Sequence, residues 1–163
     1  MPFRIGHGYD LHRLRPTGTL WLAGVAVSDE MSAVAHSDGD VVIHATVDAL
    51  LGALGLGDIG EHFPDTEAKW KGAASRIFLE HAVSLVQQAG YTIANVDVTI
   101  LAERPRLKAF KPEMTIRLSE ILSITHPAKV IPVNIKAGTN EKCDAIGQGE
   151  AIAAHAVVLL VKE

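Results

Sequence analysis

AHSDGDVVIHATVDALLGALGLGDIGEHFPDT, Ala35 to Thr66, is the stretch whose reading decides the fold. Its middle, Asp38 to Leu54, reads as a helix with almost no solvent face, because Val41, Val42, Ile43, Ala45, Val47, Leu50, Leu51 and Leu54 surround its axis. A helix apolar nearly all round is a buried one. Asp40, His44 and Asp48 nevertheless recur every four residues, which stacks them along one stripe of that helix. Buried acids and imidazoles need partners, so the stripe calls for a hydrogen-bond network or a metal ion. The turn before it offers Ser37 or Asp38 as the helix cap. The turn after it carries Asp58, Glu61, His62 and Asp65 among glycines and a proline. Polar residues on short loops around a buried helix point to a site.

Upstream, FRIGHGYDLHRL (Phe3 to Leu14) alternates, with Arg4, Gly6 and Gly8 on one side and Phe3, Ile5 and His7 on the other, as a strand does. Asp10 and His12, two apart, then project from one face. With His44 they form an Asp/His/His set that leaves the fourth tetrahedral position open, as a catalytic zinc requires. The alternative is that Asp10 and His12 cap a turn, and that His44 is a core histidine satisfied by Asp40 or Asp48.

Thr19 to Val27 reads as a second strand, Gly72 to Ala89 as an amphipathic helix and Thr92 to Ala102 as a strand. Pro112 to Ile124 reads as a helix, with Val130 to Ala137 and Ala151 to Val161 as strands. Arg104, Arg106 and Lys108 follow the strand ending at Ala102; such residues hold a phosphate or solvate a loop, and charge alone favours the loop. This order predicts an α+β two-layer sandwich, a mixed four- to five-stranded sheet with helices on one face. Strands apolar on both sides predict self-association over the bare face.

At 163 residues with 48% hydrophobic content, a single domain spanning 1–163 is expected. A net charge of -4 argues against general nucleic-acid binding. The run Ala151 to Val161 is too short for a membrane span. The single Cys143 makes a reducing compartment, the cytoplasm, the expected location, and no transit peptide is read at the start of the chain.

Five stretches in this order resemble the 2-C-methyl-D-erythritol 2,4-cyclodiphosphate synthase family over nearly the whole chain. They are RIGHGYDLH (Arg4 to His12), the opening stretch, KGAASR (Lys71 to Arg76), NVDVTILAERPRL (Asn95 to Leu107) and the loop containing Asn140, Glu141 and Lys142. The resemblance implies a homotrimer with active sites between subunits and a cytidine diphosphate substrate, with no nucleic acid or membrane partner. It implies zinc, or another divalent ion, on Asp10, His12 and His44, and magnesium or manganese held with the help of Glu141. His36 and Thr139 match the pair that stabilises the transition state, and Asp48 is expected to orient the His44 imidazole.

Substrate contacts implied for the erythritol phosphate end are Asp10, His12, His36, Ser37, Asp58, Ile59, Gly60, Phe63, Pro64, Asp65, Thr66 and Glu67. The cytidine pocket falls on Ala102, Glu103, Arg104, Pro105, Arg106, Leu107 and Lys108, and the diphosphate on Thr139, Asn140 and Glu141. Ala145 and Gln148 depart from the aromatic residue and arginine common there, which removes a ring and a cation from an axial cavity that binds isoprenoid diphosphate in some relatives. The same ligands also suit a zinc phosphoesterase, or a non-enzymatic module whose structural zinc would have four protein ligands.

Overall fold

The structure is a computed structural model and describes residues 2–162. In chain order its strands and helices are β1 (Phe3–Pro16), β2 (Leu20–Leu22), β3 (Val25–Ser28), β4 (Met31–Ala33), α1 (Val41–Leu54), α2 (Ile59–His62), α3 (Arg76–Gln88), β5 (Tyr91–Leu101), α4 (Lys111–Leu122), β6 (Val133–Gly138), α5 (Asp144–Gly147) and β7 (Ala151–Lys162). One turn of 3₁₀ helix, Ala68–Trp70, lies between α2 and α3. Five strands form a mixed sheet in the order β4-β1-β7-β5-β6, in which only β5 and β6 run parallel. Helices α1, α3 and α4 pack on one face and share one core with it, as expected for an α+β sandwich. Among the described residues, no helix is long and apolar enough to cross a membrane.

Gly6 and Gly8 set how closely α1 approaches the sheet. A Cβ built on Gly6 would lie 1.8 Å from the Ala49 carbonyl oxygen, and one on Gly8 1.9 Å from that of Ala45. Only the absence of side chains there lets the helix backbone rest directly on β1. On the opposite face of β1, Phe3, Ile5, Tyr9 and Leu11 are exposed, joined by Val157 of β7.

The cap of α1 is Asp40, not Ser37 or Asp38. Its carboxylate accepts from the N–H groups of Val42 and Ile43 at 3.1 Å, and also from Ala23 at 2.9 Å and Gly24 at 2.7 Å. Burial pushes this carboxyl up, while the Gly24, Ile43 and Ala23 N–H groups pull against that shift. Asp40 therefore ties α1 to the β2–β3 hairpin and takes no part in the polar stripe. That hairpin corrects the single strand read over Thr19 to Val27: the chain reverses at Ala23 and Gly24, with φ of 52° and 74°, as a two-residue hairpin turn requires. Strand β4 escaped the sequence reading because three residues show no alternation; Leu14↔Ala33 pairing with β1 defines it.

Candidate metal centre and active site

Asp10 and His12 leave β1 on the side that faces α1, and the close packing at Gly6 and Gly8 brings His44 down to them. Asp10 Oδ2 lies 3.1 Å from His12 Nε2 and 3.0 Å from His44 Nδ1, and the two ring nitrogens are 3.1 Å apart. Ligands about 2.0–2.1 Å from a zinc at tetrahedral angles stand roughly 3.3 Å from one another, so this triangle fits the base of such a site. Among the described residues it is the group of His, Cys, Asp and Glu with metal-binding spacing. Three protein ligands, with a pocket beyond them, fit an open site better than a closed structural one.

Burial works to raise the Asp10 carboxyl, but hydrogen bonds from His12 and His44 outweigh it and hold the group well below the usual carboxylate range. For His44 burial favours the neutral ring, yet the bond to Asp10 and that group's charge leave its pKa raised. The depressed Asp10 contributes stability above its unfolded value, lost as pH falls through the folded one. The raised His44 contributes below its unfolded value, lost as pH rises through the folded one. The metal-free cluster is therefore expected to be most stabilising between about pH 4 and 6.5, read from melting in a pH series. Metal requires the neutral ring, so metal affinity should fall on acidification by about tenfold per pH unit for each proton displaced, starting above the ordinary histidine value. Chelator competition across pH measures it.

A pocket of about 200 Å³ opens over the triangle, lined by Asp10, His12, His44, Ala35, His36, Ser37, Ile59, Gly60, Phe63, Asp65, Trp70 and Phe78. Asp58 does not line it but caps α2, accepting from Glu61 N–H at 3.0 Å; Pro64, Thr66 and Glu67 also stand off its wall. Asp48, expected to orient His44, instead accepts from Ile59 N–H at 2.8 Å and so holds the turn that carries Ile59 and Gly60. The imidazole is held elsewhere: its Nε2 meets Ser75 Oγ at 2.8 Å and Ser37 Oγ at 3.1 Å. Ala35, Trp70 and Phe78 on the pocket wall, and Ser75 behind His44, are not among the site residues expected from the sequence. The buried Trp70 Nε1 and Glu103 Oε2 have no hydrogen-bond partner among the described residues.

A second cleft, of about 450 Å³, is lined by Ala102, Glu103, Pro105, Arg106, Leu107, Lys108, Lys111, Ala137, Gly138 and Thr139. It gathers most of the residues expected at a cytidine. Arg104 turns away, its Nε 3.2 Å from where a Cβ on Gly149 would sit. Thr139 Oγ1 donates to Glu141 Oε1 at 3.0 Å, and Asn140 Nδ2 donates to Asp144 at 2.9 Å.

The two clefts lie on opposite edges of the sheet. Asp10 pairs with Ala154, Ala154 with Ile100 and Ile100 with Ala137, a row of three strand steps spanning about 14 Å. His36 follows edge strand β4 and Thr139 follows edge strand β6, four steps or roughly 19 Å apart. A single chain does not bring its two expected catalytic residues together.

An α+β sandwich with an open carboxylate–imidazole triangle defines a class, that of candidate metal-dependent enzymes. The chain belongs to the YgbB family, whose profile matches residues 3–161. A 2-C-methyl-D-erythritol 2,4-cyclodiphosphate synthase of Geobacter metallireducens is 52% identical over 157 residues, covering 96% of this chain and 98% of the relative. The chloroplastic enzyme of that name from Arabidopsis thaliana is 49% identical over 163 residues, 100% of this chain and 69% of the relative. An IspF of Plasmodium falciparum, solved as its CDP complex, superposes with a TM-score of 0.84 at 35% identity, covering 99% of this chain and 97% of that one.

Proposed function

We propose that this chain converts 4-diphosphocytidyl-2-C-methyl-D-erythritol 2-phosphate to 2-C-methyl-D-erythritol 2,4-cyclodiphosphate and CMP, a step of non-mevalonate isoprenoid synthesis, at sites shared between subunits of a homotrimer. The observation that carries the reading is the Asp10, His12 and His44 triangle opening into a pocket, in a chain of this family. An oxygen of the 2-phosphate bonds to the β-phosphorus, the bridge to the α-phosphate breaks, and CMP leaves with that bridging oxygen. Attacking and attacked groups are both anionic, so the site must align them and offset charge.

Zinc, or another divalent ion on Asp10, His12 and His44, would supply positive charge to a β-phosphate oxygen, and Glu141 would help hold magnesium or manganese at the diphosphate. His36 and Ser37 stand on the pocket wall where they can donate to phosphate oxygens, and Asp48 keeps the Ile59–Gly60 backbone in place beside them. Ala102, Glu103, Pro105, Arg106, Leu107 and Lys108 receive the cytidine, with small Ala102 leaving room for the base. Thr139 donates to the phosphoryl group being transferred. The exposed Phe3, Ile5, Tyr9, Leu11 and Val157 face is suited to burial between subunits. The exposed lone Cys143 suits a cytoplasmic enzyme.

Because His36 and Thr139 lie at opposite sheet edges, a productive site needs the metal triangle of one subunit and the Thr139 loop of its neighbour. Subunit mixing tests this. His12→Ala and Thr139→Ala, each inactive alone, should regain CMP release when unfolded and refolded together, because some interfaces then pair two intact halves. No recovery in mixed oligomers would place the whole site within one chain.

A further inference from the structure

His44 presents Nδ1 to Asp10 and His12, so its Nε2 must carry the proton for the ring to serve as a neutral ligand. Ser75 Oγ, 2.8 Å away and on a residue fully buried, is the nearest atom to that nitrogen. The hydroxyl has one proton to give, and it is donated to Asp38 Oδ1. A carboxylate has only lone pairs to offer. Ser75 must therefore accept from His44 Nε2–H, and the opposite tautomer would set the hydroxyl's one proton between two acceptors. The carboxylate itself is fixed by Ser75 N–H at 2.9 Å on Oδ2 and Asp40 N–H at 3.2 Å on Oδ1. Ser37 Oγ, 3.1 Å from Nε2, accepts from Gly39 N–H and forms a weaker second contact.

We infer that Asp38 and Ser75 are positioning residues: a carboxylate–hydroxyl relay that keeps the proton on His44 Nε2 and turns Nδ1 toward the metal. This rests on the metal reading of the triangle. Neither residue reaches the pocket's reacting groups directly, and both act through the imidazole. Groups that orient a ligating histidine typically contribute about 10–100-fold to metal affinity.

Ser75→Ala deletes the acceptor. Asp38→Asn keeps the shape but sets its NH₂ against a backbone donor in either orientation, Ser75 N–H on Oδ2 or Asp40 N–H on Oδ1, and so loosens the acceptor that holds the Ser75 hydroxyl proton away from His44 Nε2. Zinc affinity of the whole protein by competition with a chromophoric chelator should fall about 10–100-fold in both variants. In zinc-loaded wild type, ¹H–¹⁵N spectra should show a slowly exchanging His44 Nε2–H, and in Ser75→Ala that proton should exchange fast and shift. A role confined to folding would leave the resonance unmoved in any variant that still melts cooperatively. Wild-type affinity and an unchanged Nε2–H in the variants would overturn the relay while leaving the metal site standing. A wild-type protein that takes up no zinc would overturn both, and a missing Nε2–H in loaded wild type would overturn the relay without recourse to a variant.

Discussion

His12→Ala is expected to lose tightly bound zinc and about a thousandfold or more of the rate of CMP release, in one step. The substitution leaves Asp10 Oδ2 and His44 Nδ1, 3.0 Å apart, as a two-ligand site, too few for a tetrahedral ion that also keeps a position open. The positive charge that the proposed ion would supply to the diphosphate would go with it. The fold should survive, since His12 lies on the pocket wall and the core does not depend on it. Metal analysis, turnover and melting on one preparation check this together. Full turnover without bound zinc would remove His12 from the ligand set.

Gly8→Ala, like Gly6→Ala, should be among the most damaging small substitutions in the chain for stability, costing about 3 kcal/mol or more. The added methyl would sit 1.9 Å from the Ala45 carbonyl oxygen and 2.8 Å from the Ala49 nitrogen, both backbone atoms of α1 that no rotamer change can clear. The helix must rise off β1, and His44, one residue before Ala45, rises with it. Stability and metal affinity should therefore fall together, unlike in His12→Ala, where metal is lost from a sound fold. Urea unfolding and chelator competition on the same variant separate the two cases; near-native values in both would show that α1 does not rest on Gly8.

What the sequence disclosed of this site was periodicity. Alternation in β1 put Asp10 and His12 on one face, and the four-residue stripe put His44 on a buried helix, so the triangle was legible before any fold. The same alternation placed Gly6 and Gly8 on that face, although their meaning appears only with the α1 backbone above them. Partners distant in sequence were not legible. Ser75 lies 31 positions from His44 and Ala23 lies 17 from Asp40, and no local pattern says which buried polar group meets which. The stripe itself misled, because its three members divide their work: Asp40 caps and ties the hairpin, His44 faces the pocket, and Asp48 holds Ile59. The sheet order, which sets the two clefts at opposite edges, depends on long-range pairing that strand patterns do not encode.

Internal attack by the 2-phosphate, with no role for water, is the chemical core of the account. The most direct test runs the reaction of zinc- and magnesium-loaded protein with 4-diphosphocytidyl-2-C-methyl-D-erythritol 2-phosphate in ¹⁸O-water, followed by phosphorus NMR and mass spectrometry. Cyclisation predicts CMP and a coupled pair of ring diphosphate signals, neither product carrying ¹⁸O. Linear phosphates bearing one ¹⁸O would contradict it and make the protein a phosphoesterase.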